Sequence, residues 1–166
     1  MIDTGPYRHC ECQRMGNRYS ICQSELSLEE RGKKICLTTR HNEEAKAVVL
    51  DGCVFTDNDK RCDALFLFRR NNVKFAALVE LKGAGDISHA FSQLAHTQNH
   101  RPEYKQLVQQ LNKSGPGPLH ERAFIVSNGM LSKPHRERLE EAHSIRVSEV
   151  IYSEPGSKVP DLRDWL

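Results

Sequence analysis

The sequence predicts an α/β sandwich in which a central mixed sheet of about four to five strands is flanked by helices. Three observations carry that prediction. Apolar runs with strand period follow one another from residue 35 to residue 82, and helical period takes over after Gly83. Short apolar strands then alternate with helices as far as residue 152. At 166 residues the simplest division is one domain, large enough to bury a core. Within it, residues 1–34 form a Cys-containing N-terminal segment, 35–152 the core and 153–166 a C-terminal tail.

Taken in order, residues 24–31 predict a short helix, with Ser27 and Glu30 spaced as a capping box and Gly32 as its stop. It would supply Glu25, Glu29 or Glu30 as spare acids. Residues 35–39, 45–55, 63–68 and 73–82 predict successive antiparallel strands joined by three hairpins. If the connection at 56–60 centres on Asp57-Asn58, Cys53 falls opposite Cys62 and Gly52 opposite Asp63. Asn71-Asn72 suits a two-residue type I′ turn, since Asn tolerates the positive φ that both central positions need.

That last turn pairs Arg70 with Val73, and counting outward sets Asp63 opposite Glu80. The strand period of two then keeps Asp63, Glu80 and Lys82 on one face with Leu65, Leu67 and Leu78. Ala64, Phe66, Phe68 and Ala77 line the other.

After the strands, Gly83-Ala84-Gly85 breaks the pattern and Asp86 is the expected N-cap of a helix with the apolar stripe Ile87, Ala90, Phe91 and Leu94. His89, Gln93, His96 and His100 occupy its polar side. Beyond Pro102 a second helix turns Tyr104, Leu107, Val108 and Leu111 inward. Residues 114–118 are a Gly/Pro loop, 122–127 a buried strand, the region of Pro134, Leu139 and Ala142 a helix, and 145–152 a last strand. The tail is expected to dock through Leu162 and Trp165.

A formal charge of +2 tilts the chain only weakly toward polyanions, so a nucleic-acid surface has to come from local clusters such as Arg61, Arg69, Arg70 and Lys74. No signal-peptide-like stretch and no run long enough to cross a bilayer is seen, so the expected location is cytoplasmic, with no membrane partner.

Asp63, sixteen intervening residues and then Glu80-Leu81-Lys82 resemble the PD-(D/E)xK nuclease superfamily, the restriction-endonuclease-like fold. The chain has two other Glu-x-Lys triplets, at Glu44 and Glu103. Only Glu80-Leu81-Lys82 ends an apolar strand, follows an acid-bearing partner strand and precedes glycines and an amphipathic helix. Cys62 stands where the family name has proline. The resemblance implies Asp63 and Glu80 as ligands of Mg²⁺ (or Mn²⁺), with the Leu81 carbonyl as a further oxygen and Lys82 as catalytic cation. It also implies a catalytic Gln93 and an additional acid, for which Glu30 is one candidate. Thr97 stands where the RecB-type branch has tyrosine.

The implied function is a metal-dependent DNA endonuclease in defence, repair or recombination, with DNA favoured over RNA as partner. The alternative is a non-catalytic nucleic-acid-binding or scaffold subunit of the same fold. No separate target-recognition domain fits in 166 residues, so a homodimer or a partner subunit is expected.

Six cysteines admit three readings: packed or free thiols, a Cys53/Cys62 pair, or a structural site in which Cys10, Cys12, Cys22 and Cys36 hold Zn²⁺ or, by analogy with some RecB-type nucleases, an iron–sulfur cluster. His96 and His100, one helical turn apart, are spaced as metal ligands can be, but with no acid or cysteine to complete the set the favoured reading is a solvated histidine-rich face or a phosphate contact.

Overall fold

A computed structural model describes residues 1–15 and 20–166. The N-terminal region departs from expectation. After the short α1 (Cys12–Met15), residues 24–31 are not helical: β1 (Cys22–Ser24), β2 (Ser27–Glu30) and β3 (Lys33–Cys36) form an antiparallel three-stranded sheet. A helix would throw Leu26 and Leu28 to opposite sides, whereas a strand puts both on the face that Ile35 shares. Leu28 and Ile35 are fully buried as a result. Gly32 does not end a helix. It is the second residue of a two-residue hairpin turn, with Arg31 at φ 48° and Gly32 at φ 82°, and this turn pairs Glu30 with Lys33.

The main sheet has strand order β4-β5-β6-β7-β8, from β4 (Glu44–Val49), β5 (Ala64–Arg70), β6 (Val73–Lys82), β7 (Leu119–Ser127) and β8 (Glu149–Tyr152). The first three strands are antiparallel and β6, β7 and β8 run parallel, so the sheet is mixed and five-stranded. Helices α2 (Ile87–His100) and α3 (Pro102–Asn112) fill the crossover from β6 to β7, and α4 (Lys133–His143) fills the next. Because β3 belongs to the small sheet, the three consecutive hairpins reduce to β4–β5 and β5–β6 in the main one.

Each face of the main sheet has its own core. On one, Leu65, Leu67, Ala76 and Leu78 pack with the α2 stripe Ile87, Ala90, Phe91 and Leu94 and with Tyr104, Leu107 and Leu111 of α3. On the other, Ala64, Phe66, Phe68, Ala77 and Val79 meet Leu28 and Ile35 of the small sheet. Helices α2, α3 and α4 therefore lie on one face, and the second sheet, not a long N-terminal helix, covers the other. The tail docks as expected: Leu162 is fully buried, Trp165 packs on the same core, and Asp161 accepts hydrogen bonds from the Thr38 amide and hydroxyl.

Two register expectations have different outcomes. Arg70 pairs with Val73 as anticipated, although only Asn71 of the turn takes a positive φ, 50°. The β4–β5 pairing instead sets Val49 opposite Ala64, which places Leu50, not Gly52, beside Asp63. The Asp/Asn-rich connection is not a hairpin turn. Arg101 clamps Asp57 through two hydrogen bonds of 2.9 and 2.8 Å and lies 4.0 Å from the Phe55 ring centroid, folding residues 51–62 against α2.

The β5–β6 turn is braced by the Gly/Pro loop. Gly117 has φ 94°, and a β-carbon added there would fall 1.6 Å from the Asn72 carbonyl oxygen. Backbone cannot yield as a flexible side chain can, so Gly117→Ala is expected to cost about 3 kcal/mol, measured by chemical denaturation. A loss under about 1 kcal/mol would mean that loop and turn separate freely.

Candidate metal centre

Asp63 immediately precedes β5, and Glu80 and Lys82 end β6. Extending the Ala64–Val79 pair by one residue puts Asp63 opposite Glu80, as the sequence anticipated. Both acids are buried, with 6% and 2% exposure. The Leu81 amide donates to Asp63 Oδ2 at 2.8 Å, so the carboxylate is fixed by the backbone of the neighbouring strand. Leu81's side chain points into the opposite core.

The two carboxyl groups face each other across the β5–β6 pair. Burial pushes the Glu80 pKa well above its ordinary value, and the charge of Asp63 adds to the rise. Asp63 is also raised by burial, an effect opposed by its interaction with the Glu80 carboxyl and by the hydrogen bond it accepts from the Leu81 amide. Lys82 Nζ stands 4.0 Å from Glu80 Oε1, and Glu80 Oε2 has no hydrogen-bond partner among the described residues. Two buried acids with an oxygen left over are costly as they stand. A hard cation, which takes oxygen ligands, would satisfy that oxygen and let both acids ionise, so the donor set fits Mg²⁺.

Glu30 reaches the same neighbourhood from the end of β2, not from a helix. Burial raises its pKa first and the charge of Asp63 second, while Arg31, Lys33 and Lys82 pull it down. Lys33, 7% exposed, therefore adds a cation that the sequence reading missed. Asp51, ion-paired with Arg61 at 2.6 Å, is a further charge acting on Asp63.

Gln93 lies on α2 as expected, and its side chain anchors the approach to the acid pair. Its Nε2 donates to the Arg61 carbonyl at 3.1 Å, and its Oε1 is buried without a partner among the described residues. One turn later, Thr97 Oγ1 accepts from the Cys62 amide at 3.0 Å and donates to the Gln93 carbonyl at 2.8 Å. Together they pin Arg61 and Cys62, the two residues that lead into Asp63. Thr97 was missed, although its i+4 spacing from Gln93 signals a shared face. Gln93→Ala is expected to loosen this approach and lower thermal stability by a few degrees, read by differential scanning calorimetry; an unchanged midpoint would show that Thr97 alone suffices.

The cysteine readings need correction. Cys10 is disulfide-bonded to Cys53 and Cys12 to Cys22, while Cys36 and Cys62 are free. The set Cys10, Cys12, Cys22 and Cys36 is thus not assembled: Cys10 belongs to the core on the helix face, Cys12 and Cys22 to the opposite core, and Cys36 Sγ donates to the Pro160 carbonyl at 3.5 Å. Cys53 does not meet Cys62, because the β4–β5 register differs from the one anticipated. Full burial holds the Cys62 thiol protonated, its pKa pushed well above the usual value, which makes it inert. His96 bonds Asp59 at 3.0 Å and so fastens the 51–62 loop, and its ring centroid lies 5.2 Å from that of His100.

A groove of about 690 Å³ along α4, lined by residues such as Lys133, Arg136 and Arg146, includes neither Asp63 nor Glu80 in its lining. Among the described residues no helix is long and apolar enough to cross a membrane. No protein-family model matches the chain, and no curated protein or solved structure matches it.

Proposed function

We propose that the chain is a metal-dependent nuclease of the PD-(D/E)xK type that hydrolyses phosphodiester bonds, with DNA as the favoured substrate. The observation that carries this reading is the buried Asp63–Glu80 pair with Glu80 Oε2 left unpartnered and Lys82 Nζ 4.0 Å from Oε1. An ordinary cross-strand salt bridge would not bury two acids side by side.

Asp63 and Glu80 would hold Mg²⁺ or Mn²⁺, with the Leu81 carbonyl within the same stretch of backbone and Glu30 as an outlying acid. When bound, such an ion supplies a Lewis acid and a water of lowered pKa. The protein's own part is positional and electrostatic. The Leu81 amide and the Gln93–Thr97 clamp fix where Asp63 enters the site. Lys82, with a side chain 21% exposed, keeps a cation at the mouth of the acid pair, where negative charge grows on a phosphoryl group under attack. A homodimer or partner subunit would supply the reach for double-strand or junction cleavage.

The test is incubation of supercoiled, linear and single-stranded DNA, and of RNA, with Mg²⁺, Mn²⁺ or EDTA. Metal-dependent cleavage that EDTA abolishes is expected. Cleavage that persists in EDTA, or none with any substrate, overturns the reading; tight DNA binding without cleavage would point to a scaffold subunit of the same fold.

A further inference from the structure

We propose that His9, Cys10 and Cys53 form a second metal site, one that takes Zn²⁺ when the Cys10–Cys53 disulfide is reduced. It does not rest on the nuclease reading. One ligand atom from each of the three residues lies within 4.8 Å of the other two, a closeness that no other trio of His, Cys, Asp or Glu reaches among the described residues. Cys10 is fully buried, Cys53 half-buried and His9 exposed, so the cluster runs from the core to the surface and leaves a face open to a water ligand. Two thiolates and an imidazole are soft to borderline donors that select Zn²⁺ over the Mg²⁺ favoured by carboxylates.

The chemistry balances. A phosphine or dithiol reductant gives two electrons to the S–S bond, which takes up two protons and becomes two thiols. Binding of Zn²⁺ then releases those two protons as the thiolates coordinate. Disulfides persist in oxidising surroundings and are opened in reducing ones. The ion would hold the same two segments together in the second setting that the disulfide holds in the first.

Those segments bear on the acid pair. His9 and Cys10 end a 3₁₀ turn (Gly5–Cys10), and Cys53 follows Leu50 and Asp51, whose amides both donate to the Asp63 carbonyl, at 2.9 and 3.3 Å. The clasp thus tethers the loop that grips Asp63. Cys12 and Cys22 do not complete the site, because they are bonded to each other within the other core.

The experiment measures zinc content and affinity of the whole chain by native mass spectrometry and chromophoric-chelator competition, after anaerobic reduction with tris(2-carboxyethyl)phosphine and, in parallel, without it. Reduced protein is expected to hold one Zn²⁺ more than oxidised protein, in which the carboxylate centre is unchanged. Cys53→Ser is expected to lose it, and His9→Ala to bind at least about tenfold more weakly. The Cys12→Ser/Cys22→Ser variant is expected to retain it. Reduced protein that binds no more zinc than oxidised protein overturns the proposal, as does wild-type affinity in Cys53→Ser. If Cys53→Ser does not fold, the exposed His9 decides: unchanged affinity in His9→Ala overturns the site.

Discussion

Lys82→Ala is expected to lower Mg²⁺-dependent DNA cleavage by at least about 100-fold, because it removes the cation placed where transition-state charge develops. Plasmid-nicking time courses would measure this. The side chain is partly exposed and its nearest charged contact is the loose 4.0 Å approach to Glu80, so the variant should fold normally. Lys82→Arg is a useful companion, since it keeps the charge but spreads it over a planar fork. Partial activity in Lys82→Arg with none in Lys82→Ala supports an electrostatic role. Cleavage by Lys82→Ala at the wild-type rate would place the chemistry elsewhere.

Glu80→Gln has the second large effect, and its direction depends on pH. Glu80 and Asp63 have folded pKa values raised above their ordinary 4.5 and 3.8. A raised acid contributes stability that is fully present below its unfolded pKa and lost as pH rises through its folded pKa. Metal-free wild-type protein should therefore melt at progressively lower temperature as pH rises above the ordinary Glu value of 4.5 and through the raised folded pKa. Glu80→Gln stays neutral across that range, so its melting curve should be flatter and lie several degrees higher at the alkaline end, about 4 °C or more. Added Mg²⁺ should stabilise the wild type increasingly as pH rises and leave the variant unmoved. Calorimetry with and without Mg²⁺ measures both, and a wild-type midpoint independent of pH would remove the buried acid pair from consideration.

The central strands and the acid pair were legible because they rest on short-range rules. Asn71-Asn72 marks a tight turn, and a tight turn plus period two fixes which residues face each other across the seven paired positions of β5 and β6. The apolar stripes of α2 and α3 were equally plain. What escaped the sequence has one common physical cause, long-range capture. Residues 24–31 contain acids spaced for a helix cap, but burial of Leu28 under Phe66 and Phe68 pays for a strand. Arg31-Gly32 is the local signal that would have revealed the hairpin. Residues 56–60 look like a hairpin turn until Arg101, over forty positions away, takes hold of Asp57. Cysteine pairing was similarly hidden, since spacing does not reveal which face of a sheet each thiol occupies.

The way Asp63 is held has a consequence for how the protein comes to be folded. Its carbonyl is gripped by Leu50 and Asp51, its side chain by Leu81, and the residues just before it by Gln93 and Thr97. These partners come from both sides of it in the chain, and none is adjacent in sequence. Contacts of such separation close late, after their loop entropy has been met by the surrounding core. A nascent or partly folded chain would carry all three polar residues yet no assembled centre, so competence for chemistry would arrive only with the completed fold.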